Sequence, residues 1–195
     1  MRPALATLAT ALVIIATGPA LAQSADWTGF YGAVQLGTNS GSEDYNLDGT
    51  TDYTLKGSTS GALIGHNWGS GQFIYGAEIA ASQGGVYEID ASDGTSYEGE
   101  YEFDRFFDVK GRLGYAINNA LVFGTLGYSS GNYLSNSVLD IGVSGLIFGV
   151  GVDYQVGGKF FVGAEYLKRS YEFTDEGTPI KADIDSLALR VGMKF

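Results

Sequence analysis

The stretch Ser186-Leu187-Ala188-Leu189-Arg190-Val191-Gly192-Met193-Lys194-Phe195 alternates without a break. Leu187, Leu189, Val191, Met193 and Phe195 are apolar, whereas Ser186, Ala188, Arg190, Gly192 and Lys194 are small or polar. A period of two places the first set on one face of a β-strand and the second on the other. A water-soluble sheet resting on a core would show the same pattern, so the other end of the chain has to separate the two readings. Residues 1–22 read as a secretory signal peptide: Arg2 opens it, Ala4 to Thr17 are mostly apolar, and Ala20-Leu21-Ala22 is a small-x-small cleavage site. The alternative, a retained spanning helix, is disfavoured because the apolar run is short and is followed by Gly18-Pro19. The mature domain is therefore predicted over 23–195.

Working back from the last strand, seven more alternating segments can be drawn: Thr28–Gly37, Ser58–Trp68, Phe73–Gln83, Phe103–Tyr115, Leu121–Ser130, Ser144–Tyr154 and Phe160–Ser170, with Ile184–Phe195 as the eighth. In Leu121–Ser130 both registers contain apolar residues, which leaves its facing ambiguous. Connections at Gly69–Gln72, Ala116–Ala120 and Gln155–Lys159 are short and rich in Gly or Asn, as hairpin turns are. Those at Thr38–Gly57, Gly84–Glu102, Gly131–Val143 and Tyr171–Asp183 are longer and mostly polar. Strict alternation of short and long connections is the layout of a transmembrane barrel. The predicted fold is all-β: an eight-stranded antiparallel up-and-down transmembrane β-barrel with both termini periplasmic.

Composition agrees with this. The chain has no Cys, so disulfides do not hold it together although export would permit them. Its 30 Gly, 13 Tyr and 11 Phe suit closely packed strands with aromatic anchors better than helices or disorder. A net charge of −11 argues against a nucleic-acid partner. Trp27, Trp68, Phe73, Tyr75, Tyr115, Tyr154, Phe160 and Phe195 fall at the short-turn end, as a membrane-interface girdle would. Parity turns Glu78, Asp108, Lys110, Arg112, Asp153, Glu165, Arg190 and Lys194 inward, four acids and four bases. Balanced charges in a narrow lumen can pair, while an unpaired one is costly.

Three stretches carry a family resemblance. Trp27-Thr28-Gly29-Phe30-Tyr31-Gly32 resembles a W-x-G-F-Y opening. Gly61-Ala62-Leu63-Ile64-Gly65-His66-Asn67-Trp68 with Tyr75-Gly76-Ala77-Glu78 resembles a G-x-x-x-G-Y-N-W turn and G-x-E strand. Gly111-Arg112-Leu113-Gly114-Tyr115 running into Phe123-Gly124-Thr125-Leu126-Gly127-Tyr128 resembles an R-x-R-L-G-Y hairpin. These are features of the small eight-stranded outer-membrane β-barrel proteins of Gram-negative bacteria, of the opacity-protein and OmpA-like, porin-like type. The sequence departs from that pattern at His66 (usually Tyr), Lys110 (Arg) and Asp153 (commonly Glu). The resemblance implies that Phe195, with Met193, Val191 and Leu189 behind it, forms a signal read by the barrel-assembly machinery, with periplasmic chaperones as partners during biogenesis. Because the chain stops at its last strand, no peptidoglycan-binding domain is expected.

No catalytic site is predicted. His66 is the single histidine and falls at the short-turn end, the wrong end for chemistry on outer-leaflet lipid, so a girdle role is expected and the protein is not read as an enzyme. Asp44, Asn46, Asp48 and Asp52, with Gly49, match part of a calcium-loop spacing, but Leu55 stands where a bidentate acid is needed. A solvated acidic loop is the plainer reading, weak Ca2+ binding the sharper one, and no other cofactor is implied. Glu88, Asp90, Asp93, Glu98, Glu100, Glu102, Asp104, Glu172, Asp175 and Glu176 would keep exposed loops soluble or bridge lipopolysaccharide through divalent cations, with Arg105 and Lys168 near its phosphates. Function is expected to be structural, envelope-stabilising and surface-interacting. A narrow channel and, more remotely, a lipid-modifying enzyme are the alternatives.

Overall fold

A computed structural model of the chain describes residues 26–45, 47, 52–91, 95–135, 139–175 and 177–195. The predicted leader at 1–22 lies outside them. Eight strands close into one antiparallel barrel in sequence order: β1 (Gly29–Tyr45), β2 (Tyr53–Ser70), β3 (Phe73–Ala91), β4 (Ser96–Ile117), β5 (Ala120–Ser135), β6 (Leu139–Gly157), β7 (Phe160–Asp175) and β8 (Thr178–Lys194). The ring shuts where β1 pairs with β8, from Tyr31 opposite Lys194 to Tyr45 opposite Ile180. Closure leaves no free strand edge, and the ladders are interrupted only locally, as between Lys56 and Ser60 on β2 and between Phe103 and Phe106 on β4. At one end three two-residue turns join the strands. Gly71, Asn118 and Gly158 each take a left-handed backbone there (φ +64°, 53° and +53°), which Gly and Asn tolerate best.

Along the short-turn half of the wall the apolar set faces out. Leu36, Ile64, Leu113, Leu126, Val150, Leu189 and Phe195 are all exposed, a band with no place in water but suited to lipid. Among the described residues no helix is long and apolar enough to cross a membrane. The facing of β5 is settled: Val122, Leu126 and Tyr128 point out, while Leu121, Phe123, Thr125 and Ser129 point in.

Two expectations need correction. The strands run much further than the sequence segments, so the stretches taken as long loops are mostly paired β-structure. The reason is visible on β8, where the hydrophobic phase inverts. From Leu187 to Val191 the outward residues are apolar. Before that, Ile180, Ala182 and Ile184 are buried inside, while Lys181, Asp183 and Asp185 face out. Below the switch the wall meets lipid, and above it the same wall meets water, so alternation continues with its sign reversed. Tyr171 on β7 and Leu55 on β2 join the inward apolar set above the switch. The second correction concerns Trp27. It is not a girdle residue: it is 2% exposed, tucked under the lumen edge-on to Phe161 with ring centroids 6.1 Å apart. Its carbonyl accepts a 3.0 Å hydrogen bond from Asn67 Nδ2, which ties the segment before β1 to β2.

Candidate functional site

The inward residues form three layers along the barrel axis. At the short-turn end Trp27, Tyr31, Leu63, Ile74, Leu121 and Phe161 belong to one apolar cluster. At the other end Leu55, Phe106, Val143, Tyr171, Ala182 and Ile184 form a second, with Tyr53 and Phe173 packed on it. Charged side chains lie between them.

Seven of the eight predicted lumen charges are there, each almost fully buried: Glu78 on β3, Asp108, Lys110 and Arg112 on β4, Asp153 on β6, Glu165 on β7 and Arg190 on β8. Lys110 Nζ lies 2.5 Å from Glu78 and 2.8 Å from Glu165. Asp153 is gripped by two guanidiniums, from Arg112 at 2.9 Å and from Arg190 at 2.7 and 2.9 Å. Arg190 also reaches Glu78 and Glu165, both at 3.4 Å. Tyr31 donates its hydroxyl to Glu78 and accepts from Arg112, each at 2.9 Å. Lys110–Glu78 and Arg190–Glu165 link neighbouring strands, while the other bonds join side chains two or three strands apart around the ring and so cross the bore. The Phe123 ring is shared, with Arg112 at 3.9 Å and Arg190 at 4.7 Å from its centroid, a cation–π contact from each guanidinium. Small residues make room: a methyl at Gly151 would overlap the Phe123 ring, and one at Gly163 would overlap the Asp153 carboxylate.

The eighth expected member, Lys194, is not in this network. It shares the inward parity but stands half-exposed at the mouth, near Asp26. The fourth buried base is instead Arg169 on β7, absent from the sequence list. It donates to Asp108 at 2.6 Å and to Ser186 Oγ at 2.7 Å, and lies 4.8 Å from the Phe106 ring centroid. Ser129 Oγ completes that group, 2.5 Å from Asp108 and 2.8 Å from the Tyr171 hydroxyl. Counting four residues on from Glu165 would have found Arg169, since that step preserves the face. Glu43 was missed as well: it is 1% exposed near the upper end of β1, with Oε1 lacking a hydrogen-bond partner.

The remaining sequence candidates are placed elsewhere. Leu189, Val191 and Phe195 face outward, and the Phe195 amide donates to the Phe30 carbonyl at 2.9 Å, which stitches the chain end to β1. Met193 is half-exposed on the same face. His66 packs between Phe30 and Trp68 on the outer wall, ring centroids 4.4 and 4.5 Å away, with Trp68 stacked on Tyr75. In the calcium-like stretch Asp44 and Asp52 are half-buried, while Asn46 and Asp48 lie outside the described residues. So do Asp93, Glu176 and the side chains of Glu88, Asp90, Glu98, Glu100, Glu102, Asp104 and Asp175. Among the described residues no three His, Cys, Asp or Glu side chains are grouped to hold a metal.

The sequence profile of the outer membrane protein beta-barrel domain matches residues 8–195. The chain belongs to that family. It is an integral outer-membrane β-barrel protein. One family relative, the 22 kDa outer membrane protein of Rhizobium leguminosarum bv. viciae, is 30% identical over 178 residues, covering 87% of this chain and 78% of the relative. Among solved structures, Neisserial surface protein A superposes with a TM-score of 0.52 at 15% identity, over 86% of this chain and 98% of that one. That likeness supports the eight-stranded outer-membrane fold. OprG of Pseudomonas aeruginosa gives a TM-score of 0.48 at 14% identity, over 86% of this chain and 97% of that one.

Proposed function

We propose that this family member is a non-enzymatic, plugged barrel that stabilises the outer membrane and presents its long hairpins to the exterior. The observation that carries this reading is the layered lumen. Two apolar clusters bracket a charge network whose hydrogen bonds cross the bore. An eight-stranded barrel has an interior just wide enough for side chains to fill, and here the crossing side chains are bonded to one another. An ion entering would have to break several buried charge-assisted bonds with no comparable replacement.

In this reading residues 1–22 direct export and are removed, both termini lie in the periplasm, and the outward apolar strip ending in Phe195 is what the assembly machinery and chaperones read. Lipid and lipopolysaccharide surround the belt. His66 lies in the aromatic girdle, which supports an anchoring role over a catalytic one. Single-channel recording of the purified folded protein in a planar bilayer tests the proposal. A folded but electrically silent barrel is the expected result. Stable, reproducible current steps, altered by Lys110 or Glu165 substitutions, would overturn it in favour of a narrow channel.

A further inference from the structure

Of the five buried acids among the described residues, Glu78, Asp108, Asp153 and Glu165 are ion-paired in the lumen and Glu43 is not. Glu43 ends the β1–β2 ladder opposite Tyr53 and stands opposite Ala182 on β8. Ala182 belongs to the upper apolar cluster, Tyr53 packs on it, and Leu55, the next inward residue of β2, is a member. The carboxyl thus lies within an apolar layer, its Oε1 without a hydrogen-bond partner. The neighbouring charges are turned elsewhere. On β1 Asp44 takes the opposite face, in register with Lys181, and on β2 Lys56 is exposed. On β8 Lys181 and Asp183 face out, 3.8 Å from each other. Half-buried Asp52 reaches Glu43 through the backbone, its amide donating to the Glu43 carbonyl at 2.9 Å. Round the ring on β7, the Tyr171 hydroxyl lies 2.8 Å from Ser129 Oγ and Arg169 is taken by Asp108 at 2.6 Å.

We propose that Glu43 is a proton-operated latch on the upper cap of the barrel. Protonated, it rests between Tyr53 and Ala182 with no charge to hydrate. Once the proton passes to solvent, the carboxylate draws water in and the tips of β1, β2 and β8 part. Parting stops at the apolar belt, which on β1 ends at Leu36. Above the belt a released amide or carbonyl finds water, whereas within hydrocarbon it would stay unsatisfied, so the charge network beneath remains shut. Burial pushes the closed-cap carboxyl up to about 7 from an ordinary 4.5. The closed cap therefore keeps its full advantage below about pH 4.5 and loses it as pH rises through 7. With 4.5 for the open form, opening is about 25-fold more frequent at pH 8 than at pH 5.5. On the reading above that the long hairpins face outward, the pH outside the cell sets the state of the cap.

Amide hydrogen exchange of the folded barrel in lipid vesicles tests the latch, read as protection factors so that the pH dependence of chemical exchange divides out. Between pH 5.5 and 8, protection at 38–45, 53–56 and 180–186 should fall at least about tenfold in wild type and stay level in Glu43→Gln. Protection at 30–36 and 187–193, inside the belt, should hold in both. Level protection in wild type, an equal fall in Glu43→Gln, or an equal fall inside the belt would overturn the proposal. Carbon-13 NMR of the wild-type Glu43 carboxyl gives a check that needs no variant: a midpoint near 7 is expected, and one at 4.5 would overturn it. One pH bathes both sides of the membrane, so the latch is tested whichever way the barrel points. Surface labelling of a cysteine placed at Thr178 in intact cells reports hairpin orientation separately, and a shielded Thr178 would overturn the assignment to external pH alone.

Discussion

Replacing Arg190 with methionine removes the side chain that contacts three acids. The central group holds Glu78, Asp153 and Glu165 against Lys110, Arg112 and Arg190, so Arg190→Met leaves two bases for three carboxylates. Breaking a buried ion pair from one side costs about 3–5 kcal/mol, because the abandoned charge keeps its desolvation cost. Asp153 retains Arg112 at 2.9 Å, which places the expected loss near the lower bound, about 3 kcal/mol. The double variant Arg190→Met with Asp153→Asn restores two against two and should recover at least half of that loss. Equilibrium urea unfolding of barrels in lipid vesicles measures both, with Trp27 in the lumen floor and Trp68 in the outer girdle as fluorescence probes. A single variant within about 1 kcal/mol of wild type, or a double variant no more stable than the single, would refute the claim that charge balance rather than packing holds this layer.

Glu43 sits beyond the apolar belt, which on β1 ends at Leu36, and burial pushes its carboxyl up to about 7 from an ordinary 4.5. Its stabilising contribution is fully present below about pH 4.5 and is lost as pH rises through 7. Wild type should therefore lose up to about 3 kcal/mol more than Glu43→Gln between pH 4.5 and 8 in urea titrations; parallel pH profiles would sink the idea. Leu126→Arg, at a mid-wall outward position 66% exposed, should cost about 2–4 kcal/mol in a bilayer. Urea unfolding in lipid vesicles reads that loss, and a variant as stable as wild type would show that the band does not meet the bilayer core. Gly163→Ala should displace the Asp153 carboxylate and destabilise the barrel by about 1–3 kcal/mol, read as an earlier heat-modification midpoint on gels.

Much of this architecture was legible because lipid enforces a period of two. Phe73, Tyr75, Ala77, Ile79 and Ala81 share a face in the sequence and face outward together in the wall. Seven of the lumen charges followed from the same parity. What was not legible lies where the solvent changes. Past Leu187 on β8 toward Thr178, the outward positions become charged and the inward ones apolar, so a template expecting apolar-out reads continuing strand as loop. Arg169 was lost to that boundary, sitting among Lys168 and Ser170 as though in a polar tail. Phe123 was ambiguous because its burial depends on two arginines from β4 and β8, a contact no local pattern announces. Trp27 failed differently: a tryptophan at the right height satisfies the girdle rule whether it points out or folds under.

The ion-pair network has a consequence for the order in which the molecule comes together. Arg190 belongs to the last strand, and its partners Glu78 and Asp153 lie 112 and 37 residues upstream. Until β8 docks between β7 and β1, the other five charges of its group line an open, water-wet trough and keep most of their hydration. Docking delivers the sixth charge and evicts the water in one event. The seam is therefore a clasp: the half-built barrel pays little for carrying its charges, and the closed one cannot reopen at β1 and β8 without pulling Arg190 away from Glu78 across the gap.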